Sequence, residues 1–238
     1  MAKIHGKNAR VFVNSFDLSG DSNRVNLTIG IDVVEVTGFG DEAKQNREGQ
    51  YNWNIGQDGF WNSTDKMSDP TIQQLIGGGT KVVSVFPAGT TPGQLGYEGF
   101  GILNNYKPEA VIAGAVTFNA EYTGHARIYR TEILTAGVQT ANGTSTARNL
   151  GTAGLNLGIT AILQALNGSH GTCSVKIQAG TTEAGNYGDI FSFTQLTGQN
   201  VVECKNVATA PVGPWFREVH SMTAGDSFDL IISCATEE

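Results

Sequence analysis

Val25-Asn26-Leu27-Thr28-Ile29-Gly30-Ile31-Asp32-Val33-Val34 is the stretch whose reading decides the fold. Val25, Leu27, Ile29, Ile31 and Val33 alternate with Asn26, Thr28, Gly30, Asp32 and Val34. A period of two held this long is the pleat of a β-strand, with one face apolar and the other mostly polar. The pattern continues through Val36-Thr37 to Gly38-Phe39-Gly40. Upstream, Ala9 to Asn14 puts Val11 and Val13 on one face of a first strand, and Gly20-Asp21-Ser22-Asn23 reads as the turn after it. Downstream, residues 40–50 are polar and carry Asp41, Glu42, Lys44, Arg47 and Glu48. With strands on both sides they read as a long exposed loop. Tyr51, Trp53 and Ile55 then resume the alternation.

Composition agrees with a chain of short strands. Gly supplies 31 of 238 residues, about twice its usual share of roughly 7%. Charged residues are only 16%, which excludes a helical bundle or coiled coil built on Glu, Lys and Leu. Apolar residues run along the whole chain, which excludes disorder. The formal net charge is −7, so the chain lacks the basic footprint of a nucleic-acid binder. Residues 1–130 hold 11 basic and 13 acidic side chains, and residues 131–238 hold 4 and 9. The second half is charge-poor and acidic. No apolar run is long enough to span a membrane, and Met1 to Lys7 lacks the apolar core of a signal peptide.

The remaining elements follow from punctuation. Asp69-Pro70 predicts a cap and first helical residue, Thr71 to Ile76 the helix, and Gly77-Gly78-Gly79 its end. Strands are expected at 81–86, 97–104 and 111–122, with Pro108 at a corner. Residues 135–154 are rich in Ala, Thr, Gly and Asn and read as a linker. Residues 155–166 read as a strand, because Gly158 and Thr160 weaken the helical alternative. Strands follow at 173–178, 189–195, 200–206, 215–222 and 227–234. Their spacing indicates a β-sandwich. The fold class is therefore all-β with one short helix. Its expected parts are residues 1–134, a 135–154 linker and a C-terminal sandwich over 155–238.

Signs of chemistry are thin. Cys173, Cys204 and Cys234 share the phase of apolar neighbours, so they read as small buried residues, with one cross-strand disulfide left open. No Cys-x-x-Cys pair or adjacent His supports a metal. His5, His125, His170 and His220 show no ligand spacing and read as turn or surface residues. Gly38-Phe39-Gly40-Asp41-Glu42-Ala43 fits a dinucleotide fingerprint by letter only. No helix follows it, and its two carboxylates repel phosphate. Tyr51, Trp53, Trp61 and Asp58 could line a sugar cleft, although Tyr and Trp on a half-polar strand are more often core or interface anchors. No catalytic residue, cofactor or metal is expected.

One segment goes beyond generic β. His5-Gly6-Lys7-Asn8-Ala9-Arg10-Val11-Phe12-Val13-Asn14, followed by Phe16-Asp17-Leu18-Ser19-Gly20, resembles the opening of tail tube (major tail) proteins of long-tailed, siphovirus-like bacteriophages. The corner Val36-Thr37-Gly38-Phe39-Gly40 and the strand Gly49-Gln50-Tyr51-Asn52-Trp53 fit the same pattern. So do Ser174 to Gln178, Phe191 to Thr194 and Arg217 to Val219, which are similar to an appended domain of some of these proteins. Asn54-Ile55-Gly56-Gln57 departs from the family's usual Asp-Gly-Thr/Ala strand. The resemblance implies a non-enzymatic structural virion protein, self-assembling as hexameric rings that stack into a DNA conduit. It implies a place in the virion tail, assembly in the host bacterial cytoplasm, and contact with other tail proteins. DNA would pass transiently without specific binding.

On that basis Asp41, Glu42, Lys44, Arg47 and Glu48 are candidates for contacts between subunits or rings. Asn26, Thr28 and Asp32 are candidates for a lumen-facing strand. A capsid decoration protein and a carbohydrate-binding β-sandwich module are the alternatives.

Overall fold

In a computed structural model of the chain, the described residues are 6–40, 42–151, 158–168, 171–208 and 212–236. The fold is mainly β. The strands are β1 (Arg10–Val13), β2 (Phe16–Asp17), β3 (Ser22–Glu35), β4 (Asn46–Phe60), β5 (Lys81–Phe86), β6 (Leu95–Glu109), β7 (Thr117–Gln139), β8 (Gly143–Thr144) and β9 (Arg148–Asn149). They continue with β10 (Ile159–Gly168), β11 (Cys173–Gly180), β12 (Tyr187–Ser192), β13 (Val201–Val207), β14 (Trp215–Met222) and β15 (Phe228–Thr236). A single α-helix among the described residues, α1 (Ser68–Gln73), lies between β4 and β5, and one 3-10 turn, Gly6–Asn8, precedes β1.

The chain divides into two compact units, and neither is continuous in sequence. Unit 1 takes residues 1–19, 82–98 and 129–238, and unit 2 takes residues 20–81 and 99–128. The sequence reading expects consecutive domains instead. It rests on composition, and composition does not record which strands pair.

Unit 1 holds two sheets. One runs β13-β10-β15-β7-β6-β5-β1-β2 and the other runs β12-β11-β14, with β8 and β9 both on the far edge of β14. Alternation along β10, β11, β14 and β15 sends Leu163, Ile177, Phe216 and Ile232 into one core, all with no exposure. The first sheet also curls on itself. Gln164 Nε2 on β10 donates to Ser84 Oγ on β5 at 2.6 Å, although three strands separate them in the sheet. The enclosed side holds Phe12, Phe86, Ile133 and Ile231.

Glu98 also lies there, fully buried. Its carboxylate accepts from Ser84 Oγ (2.9 Å), Thr131 Oγ1 (2.6 Å), Gln164 Nε2 (3.0 Å) and Ser233 Oγ. Burial pushes its pKa up, and these four donors pull against that shift.

In unit 2, β4 carries β3 on one edge, and its residues 54–60 pair with residues 117–123 of β7. The helix starts earlier than the Asp-Pro signal suggests. Ser68 N donates to Asp21 Oδ2 at 2.9 Å and Ser68 Oγ donates to Phe60 O at 3.2 Å, which fixes the entry. Asp69 does not cap; it accepts from Tyr106 Oη at 2.7 Å. The helix also ends earlier than expected, at Gln73 with Gln74 as its C-cap, and Gly77 and Gly79, at φ 72° and 73°, lie in the turn beyond it.

Several boundaries differ from the sequence reading. β6 runs on to Glu109, so Pro108 lies within a strand and not at a corner. Residues 111–116 form no strand, and β7 runs from Thr117 to Gln139, into the expected linker. Within that linker, residues 143–144 and 148–149 pair with β14 as β8 and β9, and residues 152–154 lie outside the described residues. Its small residues suit close backbone packing as well as they suit flexibility. Of the strand expected over 155–166, residues 155–157 lie outside the described residues, Gly158 precedes β10, and residues 159–166 fall in it.

Candidate assembly arm and its polar face

The β3–β4 hairpin has its two faces written in its sequence. In register, Leu27 lies opposite Ile55, Ile29 opposite Trp53 and Ile31 opposite Tyr51. On the other face Thr28 lies opposite Asn54 and Gly30 opposite Asn52. Beyond Asn54, β4 pairs with β3 alone, and β3 pairs with no other described strand. Residues 46–53 and their β3 partners are thus a two-stranded arm, about 25 Å long at ~3.3 Å per residue.

Exposure of the apolar face rises along this arm. At its root Trp53 and Ile55 are buried, and the Trp53 indole donates to Ala126 O at 2.6 Å. Farther out, Ile29 is 42% exposed, Ile31 47% and Val33 67%. An isolated two-stranded ribbon is marginal in water, and an open edge beside an apolar stripe is a ready site for another chain. Against Asp32, β4 spends two residues, Gly49 and Gln50. Gly49 backs onto Asp32, where a Cβ would lie 3.1 Å from the Asp32 Cβ. Such a bulge bends and twists the arm.

The opposite face is a lattice of amides and hydroxyls. Asn52 Nδ2 donates to Asp32 Oδ1 (2.8 Å), Thr123 Oγ1 to Asn54 Oδ1 (3.0 Å), Asn104 Nδ2 to Thr123 Oγ1 (2.8 Å) and Asn119 Nδ2 to Asp58 Oδ1 (2.8 Å). Arg24 stands 3.9 Å from Asp58 in an exposed pair.

The structure places Asn26, Thr28 and Asp32 together on this polar face. Asp41 lies outside the described residues. Glu42 and Lys44 lie in the exposed hairpin loop, and Lys44 Nζ is 3.0 Å from Glu35 Oε2. Arg47 and Glu48 are not in that loop. β4 already begins at Asn46, and they pair opposite Val34 and Val33. On an arm wetted on both sides, charged residues fit a strand as well as a loop, so polarity misplaced its start. Sequence reasoning passed over Asn52, Asn54, Asn104, Asn119 and Thr123. The first two were legible from their alternation with Trp53 and Ile55; the others needed the pairing with β7.

Other candidates resolve differently. Trp53 is buried, and Asp58 sits on the opposite face of β4, so these two do not share a sugar cleft. Cys173 and Cys234 are buried and Cys204 partly so, all three as free thiols. Burial pushes the Cys173 and Cys204 thiols up to about 11 and Cys234 higher still. His125 is exposed, whereas His5 and His170 lie outside the described residues. His220 corrects the surface reading: it is buried, on the same side of β14 as Phe216 and Glu218. Its neighbours on that side are one aromatic and one carboxylate, while Trp215 and Val219 lie on the other, so alternation gave no sign of its burial.

No family model matches the chain, and no curated protein matches it. Solved structures to which it is similar include the virion of a native gene transfer agent particle, at 11% identity and a TM-score of 0.45, over 54% of this chain and 98% of that one. Another is the tail of an empty gene transfer agent particle with C6 symmetry, at 12% identity and a TM-score of 0.43, over 54% of this chain and 98% of that one. A third is the SPP1 tail tube, at 10% identity and a TM-score of 0.44, over 52% of this chain and 77% of that one.

Proposed function

We propose that this chain is a tail tube subunit, a structural virion protein that assembles as hexameric rings stacked into a conduit for DNA. The observation that carries the reading is the β3–β4 arm. It leaves an apolar stripe and an open strand edge in water, and on its other side it presents a polar face of amides, hydroxyls and carboxylates on which Arg24 stands beside Asp58. Arms from neighbouring copies would bury the stripe and pair the edges. The face of Asn26, Thr28 and Asp32 would then line the lumen. Amides and carboxylates do not retain phosphates as a basic lining would, so DNA slides. Glu42, Lys44, Arg47 and Glu48, with Asp41, would meet the next ring or subunit. The chain would act within the virion tail, beside other tail proteins.

Negative-stain electron microscopy of the purified protein at high concentration tests this. Hollow rings or tubes are the expected result. Small closed oligomers that coat capsid shells without forming tubes would overturn it in favour of a decoration protein.

A further inference from the structure

Residues 141–149 leave the end of β7 and run along the outer edge of β14. Thr144 and Gly143 pair with Val219 and His220, and Asn149 and Arg148 pair with Trp215 and Phe216. The first part of this strip is organised around His220. Its Nδ1 lies 2.8 Å from Glu218 Oε1, and its Nε2 lies 3.0 Å from the carbonyl oxygen of Ala141. Both partners are acceptors when Glu218 is ionised. A neutral imidazole has one N–H and one lone pair, so it satisfies only one of them. The doubly protonated ring satisfies both. Gly143 lies against the ring: a Cβ there would stand 2.7 Å from Cε1 and 2.8 Å from Nε2. Strip and imidazole are in direct contact.

We infer that His220 is a protonation-controlled latch, holding residues 141–145 on the edge of β14 while the ring carries two protons and loosening them when it carries one. The groups that face it are few. Glu218, on its own strand, is fully buried, and its second oxygen accepts from Thr135 Oγ1 of β7 at 2.7 Å. From β11 comes Cys173, whose thiol is kept protonated by burial and by Glu218. The strip from Ala141 to Ser145 carries no ionisable side chain.

The hydrogen bond to Glu218 raises the histidine above its ordinary 6.5, with burial opposing. The latch is therefore closed below about 6.5 and opens as pH rises through the raised value. The ring adds to other bonds of this segment: Asn142 Oδ1 accepts from Met222 N at 2.7 Å, and Ser145 exchanges two 2.9 Å bonds with the Glu218 backbone, Ser145 N to Glu218 O and Glu218 N to Ser145 Oγ. The later part of the strip is anchored apart from it, by Leu150 N to Pro214 O at 3.0 Å and by Arg148 with Glu132 at 3.9 Å. Loosening is thus confined to residues 141–145, and it uncovers the backbone edge of β14 around Glu218 to His220. This inference does not depend on the tail tube reading.

The test is a histidine NMR titration of the full chain, with hydrogen exchange of residues 141–145 measured from pH 6 to 9 and corrected for intrinsic rates. A His220 midpoint above 6.5 is expected, with protection falling about tenfold or more across it. His220→Gln should show low protection with no pH dependence. Glu218→Gln should move the midpoint to lower pH, and it serves if the first variant does not fold. A midpoint at or below 6.5 would overturn the latch. So would protection in the native chain that does not change across the midpoint.

Discussion

Trp53 shows what a single side chain demands of its surroundings. Its indole lies against Gly124 and Gly99, where a Cβ would fall 2.4 Å from Nε1 and 2.9 Å from Cζ2. Gly124→Ala should therefore destabilise the chain by about 1–3 kcal/mol through overpacking, read as a lower denaturant midpoint with unchanged slope. Glu98 makes the opposite demand. Its pKa is raised in the folded state, so its stabilising share is complete below the ordinary carboxylate value and is lost as pH rises through the raised one. Glu98→Gln removes that loss. Stability measured by denaturation from pH 4 to 8 should fall less with rising pH in the variant than in the native chain. Parallel profiles would mean that its four donors fully offset burial. Neither Glu98 nor His220 announced itself in the sequence. Gly96-Tyr97-Glu98-Gly99 reads as an ordinary strand with a wetted carboxylate, and only the curl of the sheet encloses it.

Among elements, the β3–β4 arm was the most legible, because a strict period of two survives even where nothing covers it. What the period could not give was the bulge at Gly49, the start of β4 at Asn46, or the amide lattice, since those depend on cross-strand partners. The arm also separates stability from assembly. Ile31 is half exposed and contributes little to the subunit's own core. Ile31→Asp should change subunit stability by no more than about 0.5 kcal/mol. It should abolish rings and tubes under conditions where the native chain forms them. Electron microscopy beside a denaturation curve checks both halves of that expectation. An unaltered polymer would remove the apolar stripe from the assembly surface.

On the scale of the whole molecule, composition divided the chain at residues 135–154, whereas its packing places strands from both ends of the sequence in unit 1. A fragment of residues 1–134 would keep Ser84 and Thr131 beside Glu98 but lose Gln164 and Ser233. It would also lose β15, which pairs with β7. Such a buried carboxyl with half its donors gone, facing an opened core, is strongly destabilising. The fragment should express as insoluble material or show no cooperative thermal transition. A soluble fragment with a sharp transition would show that residues 135–238 are an independent addition.

The position of β15 carries one more consequence. It pairs with β10 on one side and β7 on the other, yet it follows both in the chain. Translation proceeds from the N-terminus, so the slot between those two strands stays vacant until β15 leaves the ribosome. During that interval the nascent polypeptide presents two unmatched strand edges, a state that invites chaperone capture or aggregation. Closing the slot brings together segments far apart in sequence, which slows the final folding step. A ribosome stalled before residue 228 would therefore hold an unfinished sheet, with the edges of β10 and β7 that β15 covers still open.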